Sequence, residues 1–203
     1  MLKKILIAVA VVVVAFLGFV ATRPPTYHVE RSAVIHAPPE VVFALVNNVA
    51  NRHTWYPWDR LDPAMKLEYG DKKEGVGATY HWKGNDDVGE GRQTITESVA
   101  NQKVVDKLEF LEPFPSTPVA TFTLVPDGAH TRLTWSLDGT NNYVGKLFGL
   151  FMDMDQMIGK DFEQGLKFLD DAAMTRAKGL AGEGPAPGAA LPAPVAADAA
   201  KGG

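Results

Sequence analysis

The sequence predicts an α+β domain in which a curved, seven-stranded antiparallel sheet wraps on one long C-terminal helix, with two short helices after the first strand. Three observations predict it. Over residues 151–173 the apolar side chains Phe151, Met154, Ile158, Phe162, Gly165, Leu169, Ala172 and Ala173 recur at helical spacing, while Lys160, Glu163, Gln164, Lys167 and Asp171 fall on the other face. Between residues 65 and 137 the period switches to two, as in Met65, Leu67 and Tyr69 against Lys66 and Glu68. Short turn signals such as Gly70-Asp71, Ala100-Asn101 and Pro126-Asp127-Gly128 separate these runs, so consecutive strands form hairpins. A helix with so broad an apolar side is not stable alone and must lie on an apolar surface, which the dry face of an antiparallel sheet supplies.

In chain order, residues 1–23 come first. Met-Leu-Lys-Lys precedes an apolar run over residues 5–21, and Thr22-Arg23-Pro24-Pro25 follows it. The run has the length of a short membrane span and exceeds most signal-peptide cores. Lys3 and Lys4 favour a cytoplasmic N-terminus. We read a single-pass anchor in the inner (cytoplasmic) membrane, with the folded domain extracytoplasmic. A cleaved signal is the alternative, and cleavage after Ala21 would place bulky Phe19 where a small residue is wanted. A buried core helix is the third reading. Residues 24–26 form a linker stiffened by proline, and residues 27–177 form the domain.

Residues 27–35 read as the first strand. His36-Ala37-Pro38-Pro39-Glu40 ends it and opens a short helix over residues 39–46, followed by a second short helix or turn over 47–55 and the patch Trp55-Tyr56-Pro57-Trp58. Strands follow around residues 65–69, 78–82, 93–97, 103–110, 119–125 and 132–137. Asp153 with Gln156 three residues on is a capping box, which starts the long helix near Met154. Residues 178–203 are nearly all Gly, Ala and Pro and are expected to be disordered.

Composition narrows the function classes. Net charge is −4 with no basic stripe, so no nucleic-acid partner is expected. The absence of cysteine excludes disulfides, thiolate metal sites and a cysteine nucleophile. The histidines, at 28, 36, 53, 81 and 130, are scattered, and no zinc-binding helix, nucleophile elbow, phosphate loop or dinucleotide fingerprint occurs, so neither a metal nor a cofactor is expected. The acidic run from Gly84 to Gly91 does not match the calcium-loop spacing and reads as a hairpin turn.

Four segments occur in a telling order: Ile35-His36-Ala37-Pro38-Pro39-Glu40-Val41-Val42-Phe43; Trp55-Tyr56-Pro57-Trp58 with Leu61-Asp62-Pro63; Gly84-Asn85-Asp86-Asp87-Val88-Gly89-Glu90-Gly91; and Gly145-Lys146-Leu147-Phe148-Gly149-Leu150-Phe151-Met152 running into Asp161-Phe162-Glu163. Over residues 27–173 the chain resembles the START-like (SRPBCC) superfamily, in particular its polyketide cyclase/dehydrase and lipid transport branch. The resemblance implies a helix-grip (START/Bet v 1-like) fold. Its members bind sterols, lipids, polyketides or plant hormones; some catalyse, and fold alone does not decide which.

Alternation points Tyr80, Trp82, Phe110, Phe122 and Trp135 to the concave face of the sheet, and the helix adds Met154, Met157, Ile158 and Phe162. The resemblance places Trp55 and Trp58 at the mouth of a cavity. These residues are the expected contacts for a hydrophobic small molecule or lipid; the alternative is a filled core. Glu97, on the strand face of Ile95, and Asp155 and Asp161, within or beside the apolar arc of the helix, are the carboxylates considered as general acid or base, Glu97 and Asp155 foremost. Two of them have a plainer reading: Asp155 suits the first helical turn, and Glu97 can pair with Arg92 or a lysine. His53, next to the aromatic patch, is the histidine to examine near the mouth. Three functions remain open: a membrane-anchored binding protein without turnover, a cyclase- or dehydrase-like enzyme using a cavity carboxylate, and a ligand-free interaction module.

Overall fold

The structure, a computed structural model, describes residues 1–182. It opens with helix α1 (Leu2–Ala21) and strand β1 (Thr26–Ile35), followed by α2 (Pro39–Val46) and two single 3-10 turns, Arg52–Thr54 and Trp58–Arg60. Strands β2 (Lys66–Tyr69), β3 (Thr79–Lys83), β4 (Glu90–Val99), β5 (Lys103–Glu112), β6 (Val119–Asp127) and β7 (His130–Thr140) come next, then helices α3 (Tyr143–Phe148) and α4 (Met154–Gly182). Among the described residues the strands form one antiparallel sheet in the order β1-β7-β6-β5-β4-β3-β2. Every neighbour is a hairpin partner except β1, which returns to pair with β7 from Thr26↔Thr140 to Ile35↔Thr131. This is the predicted α+β helix-grip arrangement.

Local chemistry explains the elements. Pro39 occupies the first turn of α2, where its missing N–H costs nothing, and Glu40 faces the positive end of the helix dipole. The Asn142 side chain accepts the Gly145 N–H at 2.8 Å and starts α3. The Asp153 carboxylate accepts the Gln156 N–H at 3.1 Å, so α4 begins where the capping residue places it.

Helix α4 lies in the concavity of the sheet with Phe162, Leu166, Leu169 and Ala173 buried. Two glycines let it come close. A Cβ at Gly165 would stand 2.8 Å from Cζ3 of Trp135, and one at Gly159 would collide with the Arg31 guanidinium. Arg31 then ties β1 to α4, its Nη1 donating to Asp155 Oδ1 at 2.9 Å and its Nε to Glu163 Oε1 at 3.0 Å.

Three expectations need correction. Phe151 lies in the turn before α4 and is 77% exposed, so the buried stripe starts later than its periodicity suggested. Residues 178–182 continue α4 beyond the boundary expected at 177, although two of the five are glycine. The remainder of the expected disordered tail, residues 183–203, lies outside the described residues. The second short helix or turn expected over 47–55 is the 3-10 turn Arg52–Thr54, with another at Trp58–Arg60, and Thr26 belongs to β1 rather than to the linker.

Candidate functional site

Between the sheet and α4 lies a cavity of about 340 Å³. The sheet contributes Tyr80, Trp82, Gln93, Leu108, Phe110, Ala120, Trp135 and Leu137, and α4 contributes Met157, Ile158, Asp161 and Phe162. The segment after α2 closes one side with Tyr56, Trp58, Asp59, Leu61 and Met65, and the β3–β4 loop adds Asp87 and Val88. Two larger hollows, of about 820 and 630 Å³, are more open clefts, one at the β4–β5 hairpin and one at the α3–α4 junction. The smaller space is the more enclosed and is walled mainly by aromatic and aliphatic carbon, the character of a ligand pocket.

The aromatic wall is a set of interlocked rings. Trp135 stacks on Phe162 at 4.0 Å between centroids and 9° between planes, and lies parallel to Tyr56 at 5.8 Å. Trp58 meets Trp135 edge-on at 5.7 Å, and its indole N–H donates to Asp161 Oδ2 at 3.3 Å. Such pairs add about 0.5–1.5 kcal/mol each beyond the area they bury.

Beneath this wall sits a polar floor. Arg52 and Asp106 are 1% and 0% exposed and pair in fork geometry, Nη1–Oδ2 at 2.7 Å and Nη2–Oδ1 at 3.1 Å. Arg52 also donates to the Val46 carbonyl and, at 3.1 Å, to the Tyr56 hydroxyl. Gln93 Nε2 donates to Asp106 Oδ2 at 2.8 Å and to the Tyr56 hydroxyl at 3.0 Å, while Tyr80 donates to Gln93 Oε1 at 2.8 Å. Tyr56, Tyr80 and Gln93 show their outer sides to the cavity; the charged pair stays behind them.

Burial sets the protonation of this floor. It pushes the Tyr56 hydroxyl up to about 12 and Tyr80 well above the ordinary phenol value, so both stay neutral near pH 7. Burial also raises the Asp106 carboxyl, against the pull of Arg52 and Gln93. Desolvation works against the Arg52 charge, yet Asp106 holds its pKa above the usual guanidinium value. The outcome is an apolar chamber with a neutral hydrogen-bonding patch, suited to orienting one polar atom of an otherwise greasy molecule.

Of the residues expected at the site, Trp58, Tyr80, Trp82, Phe110, Trp135, Met157, Ile158 and Phe162 line the cavity. Three do not. Trp55 and Phe122 are fully buried behind the wall, packed edge-on at 5.9 Å, and belong to the core. Met154, in the first turn of α4, borders the outer cleft beside Tyr27 and His28.

Of the three carboxylates considered for acid–base work, Asp161 lines the cavity, while Glu97 and Asp155 do not reach it. A bulge in β4 between Ile95 and Glu97 shifts the register, so Glu97 turns to solvent and pairs with Lys103 Nζ at 2.7 Å. Asp155 lies on the outer surface, where the hydrogen bond from Arg31 lowers its pKa. His53 is exposed, its Nδ1 against the Ala50 carbonyl. The acids that do line the cavity are Asp59, Asp87 and Asp161, and burial raises Asp59.

Sequence reasoning missed the polar floor. One signal was available: Asp106 occupies the inward register of β5 between Val104 and Leu108, where a charge demands a buried partner. Nothing comparable marks Arg52, which sits in a turn without periodicity.

The sequence matches the family of polyketide cyclases/dehydrases and lipid transport proteins over residues 26–173. The chain belongs to that family. Its fold agrees: it is similar to a Chromobacterium violaceum protein at 17% identity (TM-score 0.53, covering 74% of this chain and 98% of that one). A Rhizobium loti protein is similar at 19% identity (TM-score 0.55, covering 72% and 96%), and Ara h 8.0201 at 13% identity (TM-score 0.52, covering 74% and 99%). No match among curated proteins was found. At these identities the structures share the fold of the START-like superfamily, and the cavity of this family member is described by its own side chains.

Proposed function

We propose that this family member is a binding protein that holds a hydrophobic small molecule or a lipid-derived compound in the sheet–helix cavity without turning it over. The observation that carries the reading is the enclosed aromatic chamber with its neutral polar floor. A volume of about 340 Å³ is at the small end of ligand pockets, so the occupant is a single-ring or short-chain compound rather than a whole two-chain lipid. Helix α1 is long and apolar enough to cross a membrane and is almost wholly exposed, and in this reading it anchors the domain in the inner membrane with the domain outside the cytoplasm. Anchoring keeps the cavity near a source of apolar compounds and raises their effective concentration.

The test is native mass spectrometry of the full chain released from membranes. The reading expects a co-purifying apolar compound of small mass; repeated preparations that are empty, and that fail to take up added hydrophobic compounds, would end it. The enzyme reading has one observation in its favour, the raised Asp59 on the cavity wall. It would use Asp59 or Asp161 in place of Glu97 and Asp155, and it expects turnover that Asp59→Asn abolishes.

A further inference from the structure

The antiparallel order sorts the connections of the sheet into two ends. At one end lie the start of β1, the β3–β4 and β5–β6 loops, the exit of β7 and the first turn of α4; the β4–β5 and β6–β7 hairpins lie at the other. Helix α1 leads directly into the first end. Cavity residues Trp82, Val88, Phe110 and Met157 come from the same end.

Helix α3 is laid against the last turn of α1. The Tyr143 hydroxyl donates to the Leu17 carbonyl at 2.8 Å, Lys146 Nζ reaches the Ala21 carbonyl at 3.3 Å, and Val20 is fully buried. With α1 taken as a span, these contacts would set a depth. Leu17 lies one turn, about 6 Å, before the end of α1, so a contact there would be made below the level at which the span leaves the hydrocarbon. Lys146 supplies a donor to a terminal helix carbonyl that lipid cannot satisfy, and its ammonium would then sit at headgroup height.

On this side of the domain, large apolar side chains face outward. Val144 and Phe148 are each 47% exposed, one helical turn apart on α3; Phe151 is 77% and Met152 45% exposed in the turn that follows. Phe114, from the β5–β6 loop and 63% exposed, meets Phe148 at 5.9 Å. Aromatic and aliphatic groups gathered around a tyrosine and a lysine are the chemistry of the membrane interface, and a patch of this kind left in water is costly.

We infer that this patch is a second membrane contact. The α3–α4 turn and the tip of the β5–β6 loop lie in the headgroup and upper acyl layer of the bilayer that α1 crosses, so that the domain rests on the lipid with the cavity end down. The inference rests on α1 being a retained membrane span, and adds to it the orientation of the domain and the route by which an apolar compound passes from bilayer to cavity.

The absence of native cysteine makes the test clean. Single variants Val12→Cys, Phe114→Cys, Phe151→Cys and Ala100→Cys of the full chain carry a polarity-sensitive fluorophore. They are reconstituted in phosphatidylethanolamine–phosphatidylglycerol vesicles with a nitroxide near the top of the acyl chain. Labels at 114 and 151 are expected to be blue-shifted and quenched several-fold more than the label at 100, in the opposite hairpin. If the label at 12 is in hydrocarbon while those at 114 and 151 are as wet as that at 100, the docking inference is wrong and the anchor stands. If the label at 12 is also wet, or has been cleaved away, the anchor reading fails and the inference with it.

Discussion

Two arginines hold this domain together in opposite ways. Arg52 pairs with Asp106 in the core, both essentially without solvent exposure, while Arg31 bridges Asp155 and Glu163 at the outer edge of α4. The pairings are chemically alike, yet the acids respond in opposite senses. Burial raises Asp106, whereas the hydrogen bond from Arg31 lowers Asp155. Solvent decides the difference. Water screens the outer pair and lowers what each of its acids contributes, while the inner one has only Gln93, Tyr56 and backbone carbonyls to complete it, so each member depends on the rest.

The largest expected effect follows from breaking the inner pair. Asp106→Asn leaves the Arg52 charge buried without a counter-charge and should cost about 3–5 kcal/mol at pH 7, read by chemical denaturation. The gap from wild type should widen as pH falls toward the ordinary carboxylate value of 3.8, because the raised Asp106 of the native protein takes up its proton before the unfolded chain does and the wild type gains stability that the Asn variant cannot. A gap that narrows over that range would contradict the assigned environment. Next in size is Gln93→Leu. It strands the Tyr80 hydroxyl and removes a donor to Asp106, which should cost about 1–3 kcal/mol and weaken binding of ligands that carry a polar atom more than that of hydrocarbons.

The smallest effects belong to the outer acids. Glu97→Gln should change stability by no more than about 0.5 kcal/mol and leave ligand binding untouched, since its side chain faces solvent beside Lys103. Asp155→Asn should act only through pH and salt. With a lowered folded pKa, the contribution of Asp155 is present above the ordinary carboxylate value of 3.8 and is lost as pH falls below it. The variant should therefore flatten the acid limb of the stability profile and leave the limb near neutrality alone. A loss of binding or turnover in either variant would return these acids to the site.

The same contrast explains what could be read in the chain itself. The long helix from Ile158 onward and most of the strands carry a clear period, because one face of each is dry; alternation and helical spacing thus put Trp82, Phe110, Trp135 and Ile158 on the inner side, where they line the cavity. Trp55, expected at the mouth from the resemblance, and Phe122, expected on the concave face from alternation, both lie in the core; alternation tells inside from outside but not wall from filling. Glu97 was misjudged because one bulged residue in β4 inverts the alternation beyond Ile95, and Thr96-Glu97-Ser98 carries no local mark of it. The polar floor depends on Arg52, more than fifty positions from Asp106 along the chain, and such pairing leaves no spacing pattern behind.

The most direct test of the binding account is titration of N-phenyl-1-naphthylamine into the detergent-solubilised full chain, wild type and Ala120→Phe. Ala120 is 3% exposed and lines the cavity, so a phenyl ring there occupies the space itself. The account predicts saturable binding with quenching of cavity tryptophans in the wild type. In the variant, binding should be lost by tenfold or more, roughly 1.4 kcal/mol, with the far-ultraviolet circular dichroism unchanged. Equal probe binding by a folded Ala120→Phe protein, or no saturable binding by the wild type, would contradict it.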